Sequence, residues 1–433
     1  MNILLIGQTT LHWGRMEYGN IGNYYIVEPF IRELHRVFPE ATIRTTLQMT
    51  DDFCQKEKVV RLPIELYYSW DDENYLNTCI KELGIATLYQ ETGKIFATTP
   101  YIKEVINSDL VIDFSGDIWG DNADFVGKNR FLIGAIKDRV AQLFGKKTAM
   151  LAGSPGPFKN HDNQFTRTVF EAFDLVTNRE AVSVELLKEQ NFETEKVVSL
   201  ACPAFLFEPE KEEKMLSIYK QNELDDSSVQ KIGFIVCGWN LKEGPYDKKI
   251  VKDEELLDFV KAIEFLLQKD NVKIFLMSHS NGFELPPNFK LIQGRDFPYA
   301  KQIFEILEKR KIADMHKVKL IDGVYNPAET KAIIRKFDML VSGRIHAAVA
   351  ALSQNIPTVI FDYGHEPKAH KLRGFARVAQ VEEYLTDPTD FNGMIETVDK
   401  CWENRSKIKQ NLEQRIPEVK KDAQRNFDLL LNI

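Results

Sequence analysis

Cysteine is scarce in this chain of 433 residues: Cys54, Cys79, Cys202, Cys237 and Cys401 stand far apart, odd in number and without a C-x-x-C pair. That argues against a disulfide-stapled scaffold or a cysteine-built zinc site, and for reduced thiols in a cytoplasmic protein. Long apolar runs are missing too. Nothing approaches the ~18 residues of a membrane-spanning helix. The opening Met1-Asn-Ile-Leu-Leu-Ile-Gly7 has an apolar run of four and no basic flank, so it reads as a first strand and not as a signal peptide. Positive charge is not in excess: 56 Lys+Arg stand against 64 Asp+Glu, a formal net charge of -8. No nucleic-acid partner is expected, and any anionic ligand must be held by a local cluster of cations. Neither a Walker loop nor a G-x-G-x-x-G fingerprint is present, and there is no internal repeat or low-complexity tract.

What the chain does have is alternation. Apolar runs of strand length occur at Ile3–Gly7, Leu110–Phe114, Thr148–Ala152, Leu175–Thr177, Ile232–Cys237, Lys273–Met277, Val318–Ile321, Met339–Val341 and Thr358–Phe361. Between several of them lie segments of helical period, such as Ile26, Val27, Phe30, Ile31, Leu34, Val37 and Phe38, or Ile133, Ile136, Val140 and Leu143. Repeated β and α mean parallel sheets covered by helices on both faces, an α/β fold. The length exceeds what one core usually serves, so two Rossmann-like lobes are expected. The composition shift at Glu208–Lys214 sets the boundaries: a lobe over 1–208, a linker over 209–230, a second lobe over 231–403 and C-terminal helices over 404–433. In open sheets of this kind ligands bind at the carboxyl ends of the strands. The loops after Gly7, Phe114, Ala152, Thr177, Met277 and Val341 are therefore where chemistry is sought.

The most informative loop follows Val341. Ser342-Gly343 turn the chain, and Arg344 and His346 then fall at the start of a helix rich in Ala347, Ala348, Ala350 and Ala351. A helix start offers unpaired N–H groups and about half a positive charge, so a cation and a histidine there make an anion site. The plainer alternative is a capped helix with one surface arginine. Arg179, after the strand Leu175–Thr177, is a second candidate cation, or else an arginine paired with Glu180 or Glu185. His279, in Met277-Ser-His-Ser280, follows another strand and is either functional or merely solvated. Gly19, Asn20, Gly22 and Asn23 precede the first helix and either admit a ligand close to the backbone or only make a turn. Asp117, Asp121 and Asp124 with Trp119 have the composition of a sugar-holding loop, ring on face and hydroxyls on carboxylates. They are poor metal ligands, and no metal is expected.

Together these segments resemble the polysaccharide pyruvyl transferase family. The resemblance is carried by the capped helix start Asn326-Pro-Ala-Glu329, Phe337-Asp338, Gly343-Arg-Ile-His-Ala347, Ile356-Pro357 and Phe361-Asp-Tyr363. Weaker echoes are Gly19–Asn23, Asp109–Gly116, Gly153–Pro157 and Asp174–Ser183. It spans about residues 1–375, and the Arg-x-His block is its most specific part. The sequence departs from the family at Asn23, where aspartate is usual, and at Asp117-Ile-Trp119, where glycines are usual. The lysine expected after Tyr363 has either Lys368 or Lys371 as its counterpart.

The resemblance implies a fold similar to the two-lobed glycosyltransferase B architecture. It also implies transfer of pyruvate from phosphoenolpyruvate to two hydroxyls of a bacterial surface-polysaccharide precursor, forming a cyclic ketal. Arg344 would hold the donor's charges, Arg179 would be a second cation in the first lobe, the expected acceptor side, His346 would be the acid with His279 in reserve, and phosphoenolpyruvate would be a substrate, with no cofactor. The acceptor would be a sugar or a lipid-linked oligosaccharide, the latter bringing peripheral membrane contact. Two alternatives stand beside this. One is a glycosyltransferase with a nucleotide-sugar donor, for which Glu366 is the nearby ribose carboxylate. The other is a non-catalytic glycan-binding relative, consistent with Asn23 and the altered glycine loop.

Overall fold

The computed structural model describes residues 1–9, 12–116, 118–158, 163–242, 251–363 and 369–433. The chain divides into two compact units: Met1–Met16 with Glu28–Pro203 and Lys421–Ile433, and Glu17–Val27 with Ala204–Lys420. The first unit holds a seven-stranded sheet of β1 (Asn2–Ile6), β2 (Thr42–Thr45), β3 (Val59–Arg61), β4 (Leu110–Asp113), β5 (Lys147–Gly153), β6 (Leu175–Asn178) and β7 (Val197–Ser199). Its order is β3-β2-β1-β4-β5-β6-β7, every pairing parallel. The second unit holds β8 (Gln230–Ile235), β9 (Val272–Leu276), a hairpin of β10 (Asn281–Glu284) and β11 (Lys290–Gln293), β12 (Val318–Leu320), β13 (Met339–Ser342), β14 (Thr358–Phe361) and β15 (Leu385–Thr386). Its main sheet runs β12-β9-β8-β13-β14-β15, also parallel throughout.

Both sheets start in the middle, build outward to one edge, and then return to build the other. The reversal falls between β1 and β4 in one unit and between β8 and β13 in the other. Such switch points open a crevice at the strands' carboxyl ends. The central strands are buried on both faces, which is why they read as unbroken apolar runs: Ile3, Leu4, Leu5 and Ile6 of β1 and Met339, Leu340 and Val341 of β13 are all buried. Strands β2, β3, β7 and β15 went unread because they are short, lie toward or at the edges, and carry polar or exposed residues.

Three expectations are revised. The segment expected as a linker contains the helix Glu212–Gln221, whose Met215 and Tyr219 are buried and whose Tyr219 hydroxyl donates to Ala332 O at 3.2 Å, so it belongs to the second unit's core. The C-terminal helix begins earlier than expected and runs from Phe391 to Asp428. Its end joins the first unit: Asn426 Nδ2 donates to Ala201 O at 2.9 Å, Thr177 Oγ1 donates to Asn426 Oδ1 at 2.6 Å, and Arg36 pairs with Asp428 at 2.6 Å. The first long helix begins at Ile21, so Gly22 and Asn23 lie inside its first turn and not in a preceding loop. Among the described residues no helix is long and apolar enough to cross a membrane.

The first unit's core contains charge. Lys137 donates to Glu82 at 2.7 Å with both side chains buried, and its ammonium lies 4.1 Å from the Tyr101 ring centroid. Asp113, at the end of β4, and Asp138, on the helix Arg130–Leu143, interact inside the same core, where Trp119 Nε1 donates to Asp138 at 3.3 Å. Burial raises the Asp113 pKa to about 7. Burial and then the Asp113 charge push Asp138 well above the carboxylate range. Tyr67, Tyr101 and Arg130 are the other titratable groups that act on this pair or its surroundings.

The fold therefore retains protons that the unfolded chain gives up from about pH 4. The stability from protonated Asp113 is complete below that pH and is lost as pH rises toward 7. Each retained proton contributes a slope of about 1.4 kcal/mol per pH unit. Asp113→Asn keeps the shape without the charge. In urea unfolding its stability relative to wild type should rise between pH 5 and 7 by about that slope; a pH-independent difference would show that Asp113 ionises freely.

Candidate functional site

The switch point of the second sheet gathers the predicted anion site. After β13 the chain turns at Gly343, and an ideal Cβ there would fall 1.8 Å from Asn240 Oδ1, so only glycine lets the β8 and β13 loops meet. Asn240 Oδ1 accepts from Cys237 N at 2.9 Å, and its Nδ2 reaches Gly343 O at 3.5 Å. Asp338 secures the opposite ends of the same strands: its carboxylate accepts from Lys231 N at 2.8 Å, and its own N–H donates to Lys231 O at 2.8 Å. The aspartate of the family pattern is thus a clasp between β8 and β13.

Arg344 is the N-cap residue of the helix Ile345–Leu352, one position before the expected first turn. Its guanidinium does not point to open solvent. Nε donates to Asp296 Oδ2 at 2.9 Å and Nη2 to Asp296 Oδ1 at 2.5 Å, a bidentate pair with Arg344 7% and Asp296 0% exposed. Burial works against both charges, yet each holds the other ionised. The Arg344 pKa is raised by Asp296, and that of Asp296 is lowered by Arg344. Asp296 precedes the helix Phe297–Lys309, and its N–H donates to Ser280 Oγ at 3.1 Å. Sequence reasoning missed it. The available signal was the helix-start string Gly294-Arg-Asp-Phe-Pro298 after a strand.

His346 is half-buried on an otherwise buried helix whose Ala347, Ala348, Ala350 and Ala351 are fully covered. Asn355 adopts φ 62° just past the end of that helix, where Ile356 N donates back to Ala351 O at 3.0 Å. The His346 imidazole lies edge-on to Phe375 at 6.0 Å, and a Cβ on Gly22 would sit 2.5 Å from its Nδ1. Gly22 is therefore a close-approach glycine. Asn20 holds that helix start, accepting on Oδ1 from Gly22 N at 3.1 Å while Nδ2 reaches Asn23 Oδ1 at 3.4 Å. The structure thus brings Gly22 against His346, with Asn20 and Asn23 in the same turn; Gly19 ends the preceding helical turn Arg15–Gly19.

His279 belongs to this neighbourhood but not as a solvated loop residue. It is 1% exposed, its ring meets Tyr25 at 5.3 Å edge-on, and it feels the charges of Asp296 and Arg344. Burial lowers its pKa to about 3, with Asp296 opposing and Arg344 assisting. At neutral pH burial favours its uncharged imidazole form. Neither its ring nitrogens nor the Tyr25 hydroxyl finds a hydrogen-bond partner among the described residues. Tyr363 lies 5.6 Å from the half-buried Trp239, and its charge would act on Arg344. Lys371 is buried in the helix Ala369–Ala379, while Lys368 and Glu366 lie outside the described residues.

Arg179 lies in the first unit. It is 2% exposed, its N–H donates to Gly153 O at 2.9 Å, its Nε donates to Ser154 Oγ at 2.9 Å, and its Nη1 lies near Gly116. Glu180, a partner proposed from sequence, instead caps the next helix by accepting from Ser183. The sugar-platform reading of Trp119 is overturned. The ring is fully buried among Phe131, Phe158, Phe170 and Phe192 at 5.3 to 6.4 Å, and so offers no face to a ligand. Asp124 accepts from Phe131 N at 3.1 Å and is a helix cap, whereas Asp117 lies outside the described residues.

The geometry makes a direct test. Asp296→Ala leaves a buried guanidinium without its counter-charge and should lose about 3–5 kcal/mol in chemical denaturation. The double variant Asp296→Leu, Arg344→Met should recover most of that loss, because an apolar pair replaces the ions. A single variant as stable as wild type would mean that Arg344 escapes to solvent.

A family model described as polysaccharide pyruvyl transferase matches residues 20–365. The amylovoran biosynthesis protein AmsJ of Erwinia amylovora is 22% identical over 432 residues, covering 95% of this chain and 94% of AmsJ. Among solved structures, HepE of Anabaena in complex with UDP-glucose aligns over all of both chains at 13% identity with a TM-score of 0.54. The UDP-GlcNAc 2-epimerase of Neisseria meningitidis does so at 11% identity with a TM-score of 0.57. Likeness at these identities establishes fold alone, and the fold is the glycosyltransferase B-like one of two Rossmann-like units. The family match encloses Gly22, Asp296, Arg344 and His346, and with it the chain belongs to the polysaccharide pyruvyl transferase family.

Proposed function

We propose that this protein transfers pyruvate from phosphoenolpyruvate to two hydroxyls of a sugar in a surface-polysaccharide precursor, and that the donor binds at the carboxyl end of β13. The observation that carries this reading is the pairing, at one switch point, of an oriented arginine with a histidine seated on Gly22. Arg344 commits Nε and one Nη2 hydrogen to Asp296, which leaves Nη1 and the outer Nη2 edge for one anionic group. The N–H groups opening the helix Ile345–Leu352 offer the second anchor.

The reaction balances as an addition and an elimination. The vinyl carbon gains a proton and becomes the ketal methyl group, and a sugar hydroxyl adds to the neighbouring carbon. The C–O bond to phosphate then breaks, and the second hydroxyl adds in its place. Of the two hydroxyl protons lost, one balances the proton taken up by the methyl group and the other leaves with phosphate. His346 is the proposed acid. His279, held neutral by burial, is the proposed hydrogen-bonding or proton-accepting group, and Arg179 is assigned to the acceptor side. The step requires no divalent metal, so turnover should survive EDTA.

His346→Ala should lower turnover ~10²–10⁴-fold with little loss of donor affinity, the cost of removing a general acid. Arg344→Ala should weaken donor binding by about 1.5–3 kcal/mol more than it slows turnover, and it should also destabilise the fold by leaving the buried Asp296 carboxylate unpaired. Near-normal turnover in both His346→Ala and His346→Gln would reduce His346 to a binding residue. Thermal unfolding supplies the donor test. Phosphoenolpyruvate at 100 times its Kd should add about 2.7 kcal/mol. Stabilisation by UDP and none by phosphoenolpyruvate would favour a nucleotide-sugar transferase instead.

A further inference from the structure

The C-terminal helix carries a stripe of cations and amides away from the residues around Arg344. Lys400, Asn404, Lys407, Asn411 and Arg415 are spaced by four, three, four and four residues within the helix Phe391–Asp428. At ~100° per residue they fall in one stripe about 80° wide, and the stripe runs ~22 Å along the axis. Cations alternate with amides, and no carboxylate of residues 400–415 falls on the stripe: Glu403 and Glu413 project to other sides. In a chain of net charge -8 that is a local reversal of sign.

The stripe forms one wall of a cavity of about 230 Å³. The helix Ala369–Ala379 makes the opposite wall by ending abruptly. Gln380 adopts φ 58°, and Val381 N donates back to Ala376 O at 2.9 Å, which sends the chain into the turn Glu382–Tyr384. Ile408 and Leu412 supply a buried apolar floor. Arg415 spends its Nε–H on Val378 O at 2.9 Å, which fixes the guanidinium and leaves its two Nη groups. Lys400 is shared with Glu383 at 2.6 Å and lies over the Tyr384 ring. Lys407 has no acidic partner among the described residues. The lining therefore carries three cations and one carboxylate.

We infer that this cavity binds a saccharide bearing an anionic group, a carboxylate or a phosphate, separately from the site around Arg344. Amides alternating with cations match hydroxyls alternating with acidic groups, and the apolar floor suits a sugar's C–H face. The inference leans on the proposed role in polysaccharide modification for the choice of saccharide, but the site itself rests on the cavity and its charge.

The test is calorimetric titration of the full chain with three probes: a galacturonate tetramer, glucose 6-phosphate and a neutral glucose tetramer. At least one anionic probe should bind and the neutral tetramer should not, and affinity should fall with added salt. Lys407→Glu, an exposed change, and Arg415→Gln should each weaken that binding at least tenfold. Arg344→Gln should leave it unchanged. Binding of one anionic probe and not the other identifies the acidic group recognised. Binding of neither, equal binding of the neutral tetramer, or weakening by Arg344→Gln in place of Lys407→Glu overturns the site. Phosphoenolpyruvate stabilisation, measured in Lys407→Glu, reports on the donor reading independently and should be unaffected.

Discussion

The site around β13 depends on one buried ion pair. Arg344 and Asp296 are 48 residues apart in sequence and come from different segments. Each would be prohibitive alone in a place so dry, and each makes the other tolerable. The bidentate geometry fixes the guanidinium plane, so the remaining N–H edge is aimed before any ligand arrives. That aim requires three close approaches around it. Gly343 admits Asn240, the Ser280 hydroxyl holds the Asp296 backbone, and Gly22 admits the His346 ring. The pair contributes orientation more than net stability.

Burial sets the electrostatic character of both units in the same way. It keeps His279 neutral where sequence alone allowed a charged acid, and it raises the pKa of the Asp113 and Asp138 carboxyls where sequence alone assigned them no part. Where a counter-ion sits within hydrogen-bonding distance, as at Arg344–Asp296, charge is held inside. Local pairing, and not residue type, decides the protonation state.

The same distinction explains what could be read from sequence. Central strands such as β1, β8 and β13 were legible because parallel pairing buries both faces and leaves an unbroken apolar run. The Arg344–His346 block was legible because its elements are contiguous: strand, Gly turn, cap, small-residue helix. Asp296 and Tyr25 were not, because their partners are distant in the chain and no local periodicity marks a long-range contact. Trp119 was misread for a related reason. An aromatic amid aspartates looks alike whether it faces a sugar or the core, and only the phenylalanines brought in from residues 131, 158, 170 and 192 decide it.

The charge arrangement has a kinetic consequence. An Arg–Asp pair is nearly neutral at a distance, and the chain as a whole is acidic. A small polyanion such as the proposed donor would therefore meet no long-range attractive field, which in salt would decay within about 8 Å in any case. Its recognition would rest on contacts made after arrival: the free guanidinium edge, helix N–H groups and a neutral imidazole. Such contacts are directional and slow dissociation more than they speed encounter. An acidic protein that binds an anion in this way trades association rate for discrimination by shape and hydrogen bonding, and salt should weaken such a site less than one built on a surface cluster of lysines.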